Sequence, residues 1–169
     1  MCADPHPHPI TRRGFAGLVA GAFVLGAFPA GASEIDALGL TCIDYRLVDD
    51  GVKFINGLGL QNNWDQVALA GASLAAVSPK FPSSNQAFWD HVVIARQLHH
   101  VRKLVVVDHR DCGAYKVAFG DKFAPNPPEE DAQHKAVMEQ LKAQLAVKHP
   151  ELSSEYYLMA LDGTTKRLL

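Results

Sequence analysis

The apolar residues of this chain form short continuous runs, separated by longer stretches in which they recur every three or four positions. Short apolar runs predict buried β-strands, and 104–107 (LVVV) is the clearest of them, because it is uniformly apolar and mostly β-branched. The predicted strands span 35–41, 67–70, 104–107 and 156–161, and 164–168 returns as an edge strand after a turn at Asp162-Gly163.

Helical spacing is found mainly in 47–58, 84–100 and 129–148, and a shorter helix should follow the loop at 109–113. The proline- and serine-containing segments 78–85 and 125–128 read as loops. Ser84 or Asn85 would cap the second helix, with Phe88, Val92, Ala95 and Leu98 or His99 facing inward. In the third helix the expected inward residues are Ala132, Ala136, Val137, Leu141 and Leu145. Alternating strands and helices predict an α/β domain with a mostly parallel sheet flanked by helices.

The N-terminal segment has the three parts of a secretory signal. Arg12-Arg13 precede an uncharged apolar stretch, 16–28, which is followed by the small residues of 29–32. The stretch is shorter than the roughly 20 residues of a membrane helix, and the paired arginines are typical of twin-arginine signals. We therefore expect a signal peptide at 1–32, a domain at 33–169, and export, most simply to a periplasm. The alternative is a short core helix with a basic cap.

Charge and cysteine content narrow the range of expected partners and functions. The formal net charge is −2 and lysine and arginine are not clustered, so nucleic acid is not an expected partner. No stretch after the signal is apolar enough to remain as a membrane anchor. Loss of Cys2 with the signal would leave Cys42 and Cys112, which an exported protein could join in a disulfide or use as metal ligands.

Two short motifs carry the candidate chemistry, the pentapeptide 42–46 (CIDYR) and the hexapeptide 108–113 (DHRDCG). Cys42 follows the first predicted strand, while His109 and Cys112 follow the third. The carboxyl ends of parallel strands share one edge of the sheet, so these three side chains can meet there. Two thiolates and one imidazole suit zinc, and three protein ligands leave the open position of a catalytic site. Gly113 lets the chain turn away behind the metal.

These motifs resemble those of the β-class carbonic anhydrases, which share the patterns C-x-D-x-R and H-x-x-C-G. The resemblance extends over about 35–168, including an Ala-Gly turn at 70–71 and a final strand and turn at 157–163. It implies the β-carbonic anhydrase fold, zinc bound by Cys42, His109 and Cys112, and reversible hydration of CO2 to bicarbonate. It further implies that Arg46 holds the Asp44 carboxylate off the metal, and that the protein is a homodimer or a higher even oligomer.

The chain departs from the family pattern at Asp108, where the family usually has glycine, and at Arg110, where a small hydroxyl residue is common. Ala68-Leu69 replaces a usual Arg-Asn. Two other functions therefore stay open: hydrolysis of a CO2-like molecule such as carbonyl sulfide or carbon disulfide, and zinc binding or sensing without turnover. Arg110 either pairs with Asp111 or faces the pocket. The remaining histidines are expected on or at the ends of helices without a metal role. His91, His99 and His100 are expected at the surface or in packing, and His134 and His149 in solvent.

Overall fold

A computed structural model describes residues 34–120, 123 and 126–169. The predicted signal peptide, 1–32, lies outside the described residues. The strands are β1 (Ala37–Thr41), β2 (Trp64–Ala68), β3 (Lys103–His109), β4 (Ser153–Met159) and β5 (Thr165–Arg167). They form a five-stranded sheet in the order β2-β1-β3-β4-β5, in which β5 alone is antiparallel to its neighbour. This architecture confirms the predicted mostly parallel α/β fold.

Helices cover both faces of the sheet. They are α1 (Val48–Ile55), α2 (Ser73–Val77), α3 (Pro82–His99), α4 (Gly113–Phe119) and α5 (Pro127–Lys148), with a turn of 3-10 helix at Tyr45–Leu47 and a π-helical turn at Asn56–Leu60. Residues of α2, α3 and α5 pack on one face around Leu104 and Val106, and α1 packs on the other around Val105 and Val107. No helix within the described residues combines the length and apolarity needed to cross a membrane.

The strand order places the candidate motifs at a change of direction in the sheet. From β1 the chain moves to one side to form β2, and it then crosses back to form β3 on the other side of β1. Ligand sites of parallel sheets lie at such a switch point, beyond the carboxyl ends of the two strands. Cys42 directly follows β1, and His109 is the last residue of β3.

Several element boundaries differ from those predicted. β2 and β4 begin earlier in the chain than expected, at Trp64 and Ser153. α3 also begins earlier, at Pro82, because proline at the first helical position lacks only an N–H that would be unpaired there anyway. The short helix α2 was not predicted, since its five residues are too few to show a period.

The inward face of α5 was predicted correctly at Val137, Leu141 and Leu145, which are buried, and wrongly at two alanines. Ala132 and Ala136 are exposed. The buried residues of this helix are Glu130, His134, Val137, Met138, Leu141 and Leu145, which recur at helical spacing. His134 is therefore buried rather than solvated as expected, and His149 at the end of the helix is buried as well. Each of the two histidines has a polar partner: His134 contacts Asp108, and His149 contacts Arg96.

Candidate metal centre

Cys42, His109 and Cys112 form a compact group at the β1–β3 edge of the sheet. Their candidate ligand atoms all lie within 4.8 Å of one another, and no other such group of histidine, cysteine and acidic residues occurs within the described residues. His109 and Cys112 are buried, and Cys42 is partly buried. Asp111 brings Cys112 back toward His109 by adopting a left-handed conformation with φ of 56°. The three side chains therefore converge as the motifs predicted.

The sulfur spacing distinguishes a metal site from a disulfide. Cys42 Sγ and Cys112 Sγ lie 4.0 Å apart, and both cysteines are free. A disulfide requires about 2.05 Å between the sulfurs. A tetrahedral ion with Zn–S bonds of about 2.3 Å holds two sulfurs roughly 3.8 Å apart. The observed spacing therefore fits two thiolates on one metal ion.

The His109 ring is oriented for ligation through Nε2. Its Nδ1 lies 2.8 Å from the Arg110 carbonyl oxygen, to which it donates, so the lone pair of the neutral ring is on Nε2. Nε2 is buried and makes no hydrogen bond with the described residues. A buried ring nitrogen without a hydrogen-bond partner destabilises the folded protein, and a metal ion bound at the cluster would supply the missing partner.

Cys42 is held in an environment that favours its thiolate. Hydrogen bonding with the Cys112 sulfur and with the Gly71 amide lowers the pKa of Cys42 well below its usual range, against the opposing effect of burial. The Gly71 N–H donates to Cys42 Sγ at 3.3 Å. Gly71 has φ of +87°, and a Cβ there would approach the Ala114 Cβ to 3.0 Å, so glycine is required at this turn.

Asp44 and Arg46 form a bidentate ion pair beside the cluster. Arg46 Nε and Nη2 donate to the two Asp44 carboxylate oxygens at 2.9 and 2.8 Å. This pairing lowers the pKa of Asp44 to about 2. Asp44 Oδ2 is also only 3.7 Å from His109 Nε2. The carboxylate is therefore next to the candidate metal position and is held by the guanidinium.

Arg46 also links the two loops that carry the motifs. Its Nη1 donates to Asp111 Oδ2 at 3.0 Å, and Asp111 is paired in addition with Lys116. Arg110 does not use Asp111 as its partner. It binds Glu130 at 2.8 Å and Asp131 at 2.6 Å, both on α5. The predicted alternative in which Arg110 pairs with its neighbour Asp111 is therefore wrong. Arg110 pairs with acidic residues of α5 instead.

A small cavity of about 20 Å³ adjoins the cluster. It is lined by Thr41, Cys42, Leu47, Gly51, Val107, His109 and Met159. A larger cavity of about 740 Å³ is lined partly by Arg110, Asp111, Lys116 and Glu130, and none of the three candidate ligands lines it. Of these two cavities, the small one is lined by candidate ligands, Cys42 and His109. Leu47, Gly51, Val107 and Met159 were not predicted as site residues, because only the folded sheet brings them together.

Sequence comparison matches the chain to two rickettsial proteins. The chain is 35% identical over 136 residues to the uncharacterized protein RC0076 of Rickettsia conorii, covering 80% of this chain and 73% of that protein. An uncharacterized protein of Rickettsia bellii is 32% identical over 136 residues, covering 80% of this chain and 83% of its own length. No protein-family model matches the chain.

Two solved structures share the architecture at low identity. The carbonic anhydrase of Streptococcus mutans is 17% identical with a TM-score of 0.55, covering 85% of this chain and 88% of that one. The carbonic anhydrase of Glaciozyma antarctica is 17% identical with a TM-score of 0.52, covering 85% and 87%. The chain therefore has a β-carbonic anhydrase-like fold and belongs to the protein family of the two rickettsial proteins.

Proposed function

We propose that this protein is a zinc enzyme that catalyses the reversible hydration of CO2 to bicarbonate. The observation that carries the proposal is the convergence of two free thiols and one oriented imidazole beside a small, mostly apolar cavity. Two thiolates and one imidazole form a ligand set that zinc prefers, and three ligands leave a position open for chemistry. The structural neighbours are themselves carbonic anhydrases, which supports the assignment.

A zinc ion held by Cys42, His109 and Cys112 would supply Lewis-acid activation of water near neutral pH. Asp44 supplies a fixed acceptor next to that position, because Arg46 binds both carboxylate oxygens, through its guanidinium and its amide, and leaves a lone pair of Oδ2 free. With a pKa of about 2, Asp44 stays ionised at neutral pH and is a weak base. We therefore assign it the role of orienting the nucleophile by accepting a hydrogen bond, rather than of carrying the proton away.

The cavity favours a very small, uncharged substrate. The cavity beside Cys42 and His109 measures about 20 Å³, which favours a small molecule over a large one. Leu47, Val107 and Met159 make its wall largely apolar, which suits CO2 and disfavours the charged bicarbonate product. Carbonyl sulfide and carbon disulfide have the same linear shape, and they are the substrates of the alternative hydrolase function.

We propose that the protein acts as a homodimer or a higher even oligomer. Three apolar side chains around the Asp44–Arg46 pair are exposed: Ile43 is 60% exposed, Tyr45 86% and Val48 49%. Neighbouring exposed apolar side chains of this size are typical of an interaction surface. A second copy that covers them would also exclude water from the edge of the metal centre.

We further propose that the domain works after export, because Arg12-Arg13 and the apolar stretch 16–28 have the pattern of a twin-arginine signal. That route carries folded proteins. Zinc could therefore be bound in the reducing cytoplasm, before Cys42 and Cys112 meet an oxidising compartment.

Stopped-flow measurement of CO2 hydration by metal-loaded protein from pH 6 to 9 tests the proposed activity. We expect turnover that rises with pH, and carbonyl sulfide hydrolysis is measured in parallel. Turnover of carbonyl sulfide alone would establish the hydrolase instead. A zinc-loaded protein that turns over neither substrate would be a binding or sensing protein, and the proposal would fail.

A further inference from the structure

Directly behind the metal centre lies a fully buried polar network centred on Asp108. Asp108 is 1% exposed, while Ser73, Tyr115 and His134 are each 0% exposed. Asp108 Oδ1 accepts from the Ser73 amide at 2.9 Å. Its Oδ2 accepts from Ser73 Oγ at 2.5 Å, from Tyr115 OH at 2.7 Å and from His134 Nδ1 at 2.9 Å. A buried carboxylate with four donors is fully satisfied, and such networks are rigid.

Asp108 connects the segments that supply the metal centre. It precedes His109 on β3, and successive strand residues point to opposite faces, so Asp108 anchors the strand from the side facing away from the imidazole. Tyr115 lies in the first turn of α4, the helix that begins directly after Cys112. Ser73 follows the Gly71 turn, whose amide donates to Cys42 Sγ. One carboxylate therefore ties together the surroundings of all three candidate ligands.

The turn between Gly71 and Ser73 needs such an anchor. Ala72 lies within it at φ of 42° and ψ of −103°, a conformation that side chains with a Cβ rarely adopt, and it is completely buried. Asp108 binds Ser73 through both its amide and its hydroxyl. These two hydrogen bonds hold the turn in the conformation in which the Gly71 N–H points at the Cys42 sulfur.

We propose that Asp108 is a positioning residue for the metal centre, acting through Ser73 and the Gly71 amide on Cys42 and through Tyr115 on the segment after Cys112. This inference rests on the proposed metal binding at Cys42, His109 and Cys112, and it does not depend on CO2 being the substrate. Groups that orient metal ligands typically change metal affinity 10–100-fold when they are removed.

The test is Asp108→Asn, which keeps the size of the side chain. In one orientation of the amide, its NH2 group faces the Ser73 N–H, which can only donate. In the other, the Ser73 and Tyr115 hydroxyls must turn from donors to acceptors and His134 must lose its proton from Nδ1, so the four hydrogen bonds of the carboxylate are not kept in either case. Zinc affinity is measured by competition with a chromophoric chelator, and the site geometry is followed by the visible and sulfur-to-cobalt charge-transfer bands of Co²⁺-substituted protein. We expect zinc affinity to fall by about 10- to 100-fold and the cobalt bands to shift.

Two further variants separate positioning from general loss of stability. Val92→Ala removes volume from the buried face of α3 and leaves every hydrogen bond of the network in place, so it should lower stability without moving the cobalt bands. Ser73→Ala keeps the amide but removes the hydroxyl donor, so it should give a smaller shift in the direction of Asp108→Asn. It also provides the measurement if Asp108→Asn does not fold.

The possible results have distinct meanings. Wild-type affinity and unchanged cobalt bands in Asp108→Asn, or in Ser73→Ala where the first variant does not fold, would overturn the positioning role while the proposed function stands. A shift of the same size in Val92→Ala would overturn it as well. If the wild-type protein itself binds neither metal, the proposed function fails, and the positioning role fails with it.

Discussion

Replacing Arg46 by alanine tests how the open metal position is kept free. In the structure Arg46 binds both oxygens of Asp44, while Asp44 Oδ2 lies only 3.7 Å from His109 Nε2. Zn–O bonds are about 2.0–2.2 Å, so a released carboxylate needs to move on the order of 1–2 Å to bind the same ion. We therefore expect Asp44 to become the fourth ligand in Arg46→Ala.

The expected loss of activity is large, while the loss of stability is small. The Arg46 and Asp44 side chains are 33% and 16% exposed, so solvent screens their attraction and the pair contributes little to folding. Loss of a preorganised polar contact in a site costs about 3–4 kcal/mol in the barrier, which lowers kcat/KM roughly 10²–10³-fold. Zinc should stay near one per chain.

The assay combines stopped-flow CO2 hydration, metal analysis and X-ray absorption of zinc in the variant and the wild type. Lys116→Ala is the matched control, because Lys116 pairs with Asp111, as Arg46 does, and makes no contact with Asp44 within the described residues. We expect the control to keep activity within about 2-fold, as for an exposed ion pair. Full activity in Arg46→Ala, or loss of its zinc along with its activity, would refute the reasoning.

Three further predictions concern the cavity, the pH response and export. Gly51→Ala should fold, since the added Cβ meets only Thr41 Cγ2 at 3.8 Å. In denaturant unfolding it should stabilise α1 by about 0.5–1 kcal/mol. Because the new methyl group narrows the small cavity, kcat/KM should fall while zinc is retained. Because folding lowers the pKa of Asp44 to about 2, its contribution to stability is complete above the unfolded value of about 3.9 and is lost as the pH falls through 2. The difference in unfolding free energy between the wild type and Asp44→Asn should therefore shrink as the pH falls from about 4 toward 2. Lysine at Arg12 and Arg13 should trap the precursor in the cytoplasm, as seen by fractionation; normal export of this variant would exclude a twin-arginine signal.

The sequence predicted that Cys42, His109 and Cys112 come together, because these residues lie in two short motifs. Cys42, Asp44 and Arg46 follow one strand, while His109 and Cys112 follow another, and the edge at which parallel strands end is a general property of α/β sheets. The alternation of apolar runs and helical stretches was enough to give the sheet and most of its helices.

What the sequence could not predict depends on partners far apart in the chain. His134 and Glu130 are buried because Asp108 and Arg110, on and beside β3, supply their partners. The apolar pattern correctly placed Val137, Leu141 and Leu145 on the inward face of α5, but it added Ala132 and Ala136 in place of Glu130 and His134. Burial of a polar residue depends on its partner, which an apolar pattern does not contain. Asp108 was visible as a departure from the family pattern, but its link to Ser73 required the structure.

The most direct test of the central claim is the metal content and ligand set of the purified protein. Metal analysis together with X-ray absorption should find about one zinc per chain, bound by two sulfurs and one imidazole nitrogen, with a light atom completing the tetrahedron. Zinc-free protein in which Cys42 and Cys112 are joined in a disulfide, and which takes up no zinc after reduction, would contradict the account.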